Sequence, residues 1–388
     1  MKTYHQLALL LASASGAACF SSLPQPMASR VAFSAAKSIH YNGPSSPATT
    51  LKTSIDATTA LDNIVEEEET DKPPFPIVLW RFTRPHTLIG SALAIPAIHF
   101  LAAPSFSTAF STANIVAALY AMVPSLLMNL YITGLNQVTD VEIDKINKPD
   151  LPIAAGIMSK KTGIITVLVA LIISLSLGVA HPVLGSEGLN VALWGSCILG
   201  TLYSLPPFRL KRFPLLAAFC IVAVRGTIIN AGFFAHAQSA AFGVSSATAL
   251  NCLFGNMKCA LSSLFFGIFG IVIALMKDVP DVRGDAISNV RTFSVRIGQK
   301  RIFHAMRRLL TGLLFAYGAG FMRGAFMAPS ALLSAFRGAI GVASVAGGLS
   351  VRKEAQGVDP EDPKEVYGFY MHLWKLFYLS YLALFFVR

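Results

Sequence analysis

The chain has 388 residues, of which 54% are hydrophobic and only 13% are charged. Soluble globular proteins carry about 25% charged residues, so the composition excludes that class and predicts an all-α, polytopic membrane protein. The formal net charge of +11 does not indicate nucleic-acid binding, because the basic residues lie in short loops between apolar segments, as topology signals do.

The first 76 residues have the composition of targeting sequence. Residues 1–20 combine Lys2, a short apolar run and several small residues, which is typical of a signal peptide. Residues 21–76 are rich in Ser, Ala, Thr and Pro and end in a Glu-rich and Pro-rich linker, which is typical of a transit peptide followed by a spacer. The combination resembles the bipartite presequence of plastids with additional membranes, and secretion is the alternative. The predicted membrane domain comprises residues 77–388.

Apolar segments of roughly 18–23 residues recur along this domain, each long enough to cross a bilayer. We predict nine spans: 86–103, 114–135, 163–181, 189–205, 214–234, 260–276, 303–322, 328–349 and 367–387. The loops after the even-numbered spans are rich in Lys and Arg, which assigns them to one side of the membrane, stromal or cytosolic. The five cysteines form no CxxC pair, and the four that lie in or next to apolar segments, Cys197, Cys220, Cys252 and Cys259, are interpreted as packing residues.

Two aspartate-rich segments follow the second and sixth spans, on that same side. In the first, Asn136, Asp140 and Asp144 have a four-residue spacing that places them on one face of a helix. In the second, Asp281 and Asp285 repeat that spacing beside Asp278, after a bend expected at Pro280. Facing carboxylates repel unless they bind cations, and Mg²⁺ held by carboxylates commonly also binds substrate phosphates. The sequence therefore predicts a site for a Mg²⁺-bound diphosphate.

Basic residues near both segments are candidates to bind the diphosphate oxygens. They are Lys148, Arg209, Lys211, Lys277 and Arg291. An ion-coupled transporter is the alternative from a different functional class, because transporters also use intramembrane acids. Transporter acids tend to lie near the middle of a span, whereas these lie at span ends, which favours an enzyme.

Both segments resemble the UbiA superfamily of intramembrane aromatic prenyltransferases, and within it the homogentisate prenyltransferase branch. The residues that carry the resemblance are NQVTDVEIDKINKPDLPIAAG from Asn136 and KDVPDVRGDAISNVRTFSVRIGQKRIF from Lys277. Supporting stretches are LWRFTRPHTLIGSAL, YSLPPFRLKRFP and FYMHLWKLFYLSYLALFF. The sequence departs from common superfamily patterns at Gln137 and Arg283, without loss of an aspartate.

The resemblance implies nine helices around a central cavity in a plastid membrane, either the inner envelope or the thylakoid. It implies that Mg²⁺ and prenyl diphosphate are bound by Asn136, Asp140, Asp144, Asp281 and Asp285. Supporting roles fall to Asp278, Lys148, Tyr203, Arg209, Lys211 and Arg291. The implied acceptor is homogentisate. The favoured donor is phytyl diphosphate, before its geranylgeranyl and solanesyl counterparts, and the phytyl reaction belongs to tocopherol biosynthesis.

Other polar and aromatic residues receive structural interpretations. His86 at the start of the first span is interpreted as an interfacial anchor, with a substrate role as the alternative. His99 and His236 are interpreted as packed or solvated groups on the opposite side. Trp374, with tyrosines at helical spacing, is interpreted as a packing or lipid-interface stripe.

Overall fold

The computed structural model describes residues 73–387, and every regular element in that range is a helix. The helices of the first half are α1 (Phe75–Phe82), α2 (Pro85–Ala102), α3 (Phe106–Ala109), α4 (Thr112–Thr139), α5 (Val141–Asn147), α6 (Lys160–Val179), α7 (Glu187–Ser204) and α8 (Pro214–Ala241). Those of the second half are α9 (Ala249–Gly255), α10 (Met257–Lys277), α11 (Val282–Ile287), α12 (Phe293–Ile297), α13 (Gln299–Phe326), α14 (Ala331–Glu354) and α15 (Pro363–Leu384). The all-α prediction is confirmed for this part of the chain.

The helix starts follow from local sequence. Proline is the first residue of α2, α8 and α15, where its missing N–H would have no partner in the helix and its fixed φ suits the first turn. Ser159 caps α6, since its side chain accepts a hydrogen bond from the Thr162 N–H. Asp362 caps α15 in the same way, accepting from the backbone of Lys364 and Glu365.

Each of the nine predicted spans coincides with one long helix. Seven of these helices, α2, α4, α6, α8, α10, α13 and α14, are long and apolar enough to cross a membrane. The other two, α7 and α15, are less apolar because α7 is rich in Gly and Ser and α15 carries charged residues and several tyrosines. The count of nine crossings is therefore not confirmed. The predicted targeting segments, 1–20 and 21–76, lie outside the described residues except for the last four positions, 73–76.

Six helices surround a central cavity. α2 packs against α4 and α15, α7 packs against α4 and α8, and α10 packs against α8 and α15. The α8–α10 contact is close, because a Cβ on Gly226 would lie 2.7 Å from the Gly267 Cα atom. Helices α6, α13 and α14 flank this ring, and α13 and α14 form an antiparallel pair.

The outer helix faces are apolar. On α6, large aliphatic side chains are between about one third and two thirds exposed, including Ile165, Leu168 and Ile172. Contact between such apolar surface and water is unfavourable, whereas the hydrocarbon of a bilayer covers it. The four cysteines among residues 73–387 are free, in agreement with the packing role predicted for them.

Candidate functional site

The first aspartate segment lies at the junction of α4 and α5. Asp140 separates the two helices, and the Asp140 N–H still donates to the Asn136 carbonyl while the Asp144 N–H donates to the Asp140 carbonyl. Successive helical turns therefore align the three side chains, and Asn136 Nδ2 donates to Asp140 Oδ2 at 2.9 Å. The common face predicted for these residues is present.

The second segment connects α10 to α11. Helix α10 ends at Lys277, Pro280 lies in the break as predicted, and Asp281 precedes the first turn of α11. Asp285 follows one turn later, since its N–H donates to the Asp281 carbonyl at 3.1 Å. Both segments thus end an apolar helix and continue into a short one.

The two short helices contact each other directly through Asn147. Asn147 Oδ1 accepts from the Gly284 N–H at 2.8 Å, and Asn147 Nδ2 lies 3.5 Å from Asp285 Oδ1. The carboxylates of both segments consequently line one pocket, which we call the aspartate pocket. It is defined by Asn136, Asp140, Asp144, Asp278, Asp281 and Asp285.

Basic side chains pair with these carboxylates. Arg209 Nη2 lies 2.8 Å from Asp140 Oδ1, and Lys211 contacts the other oxygen of Asp140. Lys148 pairs with Asp281, and Lys277 Nζ lies 3.6 Å from Asp278 Oδ1. Arg209 has a left-handed backbone, with φ of 41°, that begins the turn carrying Lys211 to the pocket.

Burial determines the electrostatics of the pocket. It raises the pKa of Asp285 to about 8, with the nearby Asp278 and Asp281 charges adding to the effect. Burial likewise raises the pKa of Asp144 and of Asp278. For the Lys211 ammonium, burial lowers the pKa even though Asp140 acts in the opposite direction. Withdrawal from water therefore penalises charge of both signs here, and bound counter-ions relieve that penalty.

The donor set of the aspartate pocket fits a hard divalent cation. Its side chains present oxygen atoms, and Asp144 Oδ2 is buried without a hydrogen-bond donor. Among residues 73–387, no three His, Cys, Asp or Glu side chains are grouped closely enough to hold one metal ion. Instead, Lys148 neutralises Asp281, and Arg209 and Lys211 neutralise Asp140. A cation would have to displace Lys148 or Lys211 from a carboxylate.

A second, larger cavity adjoins the aspartate pocket inside the helix ring. Its volume is about 220 Å³, and apolar side chains of α2, α4, α7, α8 and α10 line most of it. Arg84, Asn136, Tyr203 and Lys277 line both the cavity and the pocket. A ligand with a charged head and a long apolar chain would find complementary surroundings for each part.

Most of the predicted site residues converge here, but Arg291 does not. Tyr203 and Lys277 lie at the boundary of pocket and cavity, with Lys277 Nζ 5.9 Å from the centre of the Tyr203 ring. Arg291 is exposed, and its Nε donates to Asn289. Its neighbours Val290 and Thr292 line the pocket, and the Thr292 N–H donates to the Val290 carbonyl at 3.1 Å, so the backbone makes a tight turn centred on Arg291.

Three site residues were missed in the sequence. Arg84 lines the pocket with Nη2 3.4 Å from Asn136 Oδ1, and Asn147 links the two segments. Arg225 lines the cavity within α8. Its sequence signal was available, because it is a lone charge in an otherwise apolar run.

Trp374 is only 1% exposed and lines the cavity, so of its two predicted alternatives packing is confirmed and contact with lipid is not. His86 also lines the cavity, with its ring 5.2 Å from that of Trp374, and is not an interfacial anchor. His99 and His236 are buried and packed together, as one of the two predicted alternatives requires.

Comparisons with known proteins agree with this geometry. Residues 77–376 match the UbiA prenyltransferase family. Homogentisate phytyltransferase 1, chloroplastic, of Arabidopsis thaliana is 42% identical over 80% of this chain and 75% of its own length. Homogentisate phytyltransferase of Synechocystis is 36% identical over 78% of this chain and 92% of its own length. A UbiA homolog from Archaeoglobus fulgidus, solved bound to GPP and Mg²⁺, shares the fold, with a TM-score of 0.52 at 16% identity over 79% of this chain and 99% of that chain.

Proposed function

Since the chain belongs to the UbiA prenyltransferase family, we propose that it transfers the phytyl group of phytyl diphosphate to homogentisate. Carbon dioxide is lost during the reaction, and the products are 2-methyl-6-phytyl-benzoquinol and diphosphate, as in tocopherol biosynthesis. The observation that carries the proposal is the junction of the aspartate pocket with an apolar cavity, because this pairing suits the head and chain of one prenyl diphosphate.

The divalent cation of this proposal is Mg²⁺. Asn136, Asp140, Asp144, Asp281 and Asp285 would hold it, and their oxygen atoms are the ligands that it prefers. Bound Mg²⁺ supplies positive charge to the diphosphate leaving group. On binding of the Mg²⁺-diphosphate, Lys148 and Lys211 would exchange their carboxylate partners for phosphate oxygens, and Lys277 and Arg209 would add further charge.

In the transfer step, the bond between the prenyl C1 atom and the diphosphate oxygen breaks and C1 bonds to a carbon of the aromatic ring, which then loses its proton. The bond between the methylene carbon and the carboxylate of homogentisate also breaks and releases CO₂, and the methylene carbon takes up a proton to become the methyl group of the product. The helix ring keeps water from C1, so the hydroquinone ring is the available nucleophile. Positioning of an electron-rich ring near C1 supplies much of the rate enhancement. Tyr203 and Arg84 line both pocket and cavity, which supports a role for them beside C1.

The proposed location is a plastid membrane, the inner envelope or the thylakoid, with the aspartate pocket facing the stroma. Relatives from Arabidopsis thaliana and rice that are 42% and 40% identical are named chloroplastic, and the basic loops beside the pocket favour the stromal side. Residues 1–20 would serve as the signal segment and residues 21–76 as the transit segment and linker that bring the protein there.

The alternative function is transfer of a different prenyl group, geranylgeranyl or solanesyl, to the same acceptor. Homogentisate geranylgeranyltransferase of Hordeum vulgare is 38% identical over 80% of this chain, and homogentisate solanesyltransferase of Arabidopsis thaliana is 33% identical over 78%. Phytyl diphosphate is favoured because the named phytyltransferases reach 42% and 40% identity. A transporter is not favoured, since both acid clusters lie at helix ends and not near the middle of a span.

The test is prenylation by membranes that contain the full chain, with Mg²⁺, labelled homogentisate and phytyl, geranylgeranyl or solanesyl diphosphate in turn. We expect labelled phytyl-benzoquinol as the main product, lost on addition of EDTA. A higher kcat/KM for solanesyl diphosphate would reassign the donor, and no labelled lipid from any donor would refute homogentisate as the acceptor.

A further inference from the structure

Arg225 is a charged residue in the middle of an apolar membrane helix. It lies in α8, within the wide π-helical turn Ala223–Ile228, and its side chain lines the cavity. Charged residues inside a membrane bundle are costly and are retained mostly for function, and π-helical turns are frequent at functional sites.

The guanidinium has aromatic neighbours but no anion. Its Cζ atom lies 5.1 Å from the centre of the Trp374 ring and 5.9 Å from that of Phe377, within the range of cation–π attraction. Among residues 73–387, no Asp or Glu forms an ion pair with Arg225, and its side chain makes no hydrogen bond. Aromatic rings stabilise the charge without using its five donors.

The neighbouring helices fix the position of Arg225. Gly226 packs against Gly267 of α10, and a Cβ on Gly270 would lie 3.4 Å from the Arg225 Cβ atom. Gly267 and Gly270 of α10 thus allow the aliphatic part of the Arg225 side chain to pack against that helix, while the guanidinium extends toward α15. The site is built from three helices and is not a chance exposure of one side chain.

The surrounding cavity wall suits an aromatic ligand. The Trp374 ring contacts the Arg225 guanidinium and also the His86 ring, whose centre is 5.2 Å away. Tyr370 packs edge-on against the same indole. The Trp374 Nε1 atom is buried, and the Tyr370 hydroxyl is close enough to interact with it. The guanidinium, which has no anionic partner among residues 73–387, therefore lies against aromatic rings that carry polar groups of their own.

We propose that Arg225 and Trp374 form the binding site for the aromatic acceptor, with the Arg225 guanidinium pairing with the carboxylate of the acceptor acid. This inference rests on the proposed function, which supplies an acceptor with one carboxylate. The diphosphate has its own cations, Arg84, Lys148, Lys211 and Lys277, around the aspartate pocket, so Arg225 is available for a second anion in the cavity. After loss of CO₂ the quinol is neutral and no longer pairs with Arg225, which favours its release into lipid.

The experiment compares an acid with its neutral ester on the full chain. In membranes we would measure KM for homogentisate and for phytyl diphosphate, and Ki of homogentisate methyl ester as a competitor. Arg225→Gln should raise KM for homogentisate about 30-fold, because a buried carboxylate loses its only ionic partner, while KM for phytyl diphosphate stays within twofold. Arg225→Lys should restore part of the loss. Arg352→Gln, at an exposed position of α14, is the matched control and should match the wild type.

The ratio of the Ki of homogentisate methyl ester to the KM of homogentisate distinguishes loss of carboxylate recognition from a general packing defect. The wild type should prefer the acid, and Arg225→Gln should lose that preference even if its kcat also falls. An unchanged ratio in Arg225→Gln, or a wild type that binds ester and acid equally, would overturn the inference. Failure of the wild type to prenylate homogentisate at all would refute the proposed function, a result distinct from the other two.

Discussion

Asp140 is the most heavily paired carboxylate of the aspartate pocket. It accepts from Asn136 and pairs with both Arg209 and Lys211, although it is only 6% exposed. A buried ion pair has lost the hydration of both charges, so its net contribution to stability is small and it is well suited to exchange partners. The pairs therefore keep the pocket electrically balanced and leave carboxylate and ammonium groups ready for a cation and a diphosphate.

The raised pKa of Asp285 makes cation binding depend on pH. At pH 7 a carboxyl with a pKa of about 8 is mostly protonated, and it must lose its proton to bind a metal ion. Raising the pH removes the competing proton, so the apparent affinity for Mg²⁺ should rise between about pH 6 and pH 8, by up to about tenfold per unit. Calorimetric titration of the purified full chain with Mg²⁺ at several pH values measures this.

Asp285→Asn provides the control for that pH dependence. The substitution removes the titrating carboxyl and keeps a side-chain oxygen, so the affinity should be lower at pH 8 and its slope with pH much reduced. An equally steep slope in Asp285→Asn would show that the protons are released from another group.

At the scale of helices, the site depends on the contact between α5 and α11. Each is a short helix that follows a long apolar one, and Gly284 lets them meet. A Cβ at Gly284 would lie 2.4 Å from Asn147 Oδ1, closer than side chains tolerate, and Asn147 is the residue that joins the two helices. The distance between the two aspartate segments is therefore controlled by one glycine and one asparagine.

Gly284→Ala should separate the two aspartate segments and impair catalysis. Overpacking of this kind costs about 1–3 kcal/mol, and we expect kcat/KM for phytyl diphosphate to fall at least about tenfold. Gly357→Ala is the matched control, because a Cβ there meets no atom within 4 Å. Equal activity of the two variants would mean that the α5–α11 contact does not set the geometry of the pocket.

The sequence predicts the helices well because their apolar lengths and proline starts are local features. All nine predicted spans correspond to helices, and the two aspartate segments meet as their common side of the membrane requires. Helix rotation is harder to predict, because a helix that is apolar all round has no periodic face to read. For that reason the sequence predicts a packing or lipid-interface stripe for Trp374 and does not reveal that Arg225 lines the cavity. Arg291 lies outside the pocket for a different reason, because the backbone turns tightly at this residue, and such a turn is not visible in the spacing of the sequence.

At the scale of the whole molecule, the protein separates two environments. The aspartate pocket gathers five carboxylates and their basic partners at one end of the helix ring, and the cavity beneath it is lined mainly by apolar side chains. The outer faces of flanking helices such as α6 present aliphatic side chains to lipid. This arrangement lets a lipid-soluble donor bind its chain within the membrane while its charged head lies at the surface among the cations.

The most direct test of the central claim, that both aspartate segments form one site for a Mg²⁺-bound diphosphate, is calorimetric binding of pyrophosphate to the purified full chain. We predict binding only when Mg²⁺ is present, weakened at least about tenfold by either Asp140→Asn or Asp281→Asn. Asp150→Asn, an exposed acid that follows α5, should leave the affinity unchanged. Binding that is equally tight without Mg²⁺, or that neither substitution in the pocket alters, would contradict the account.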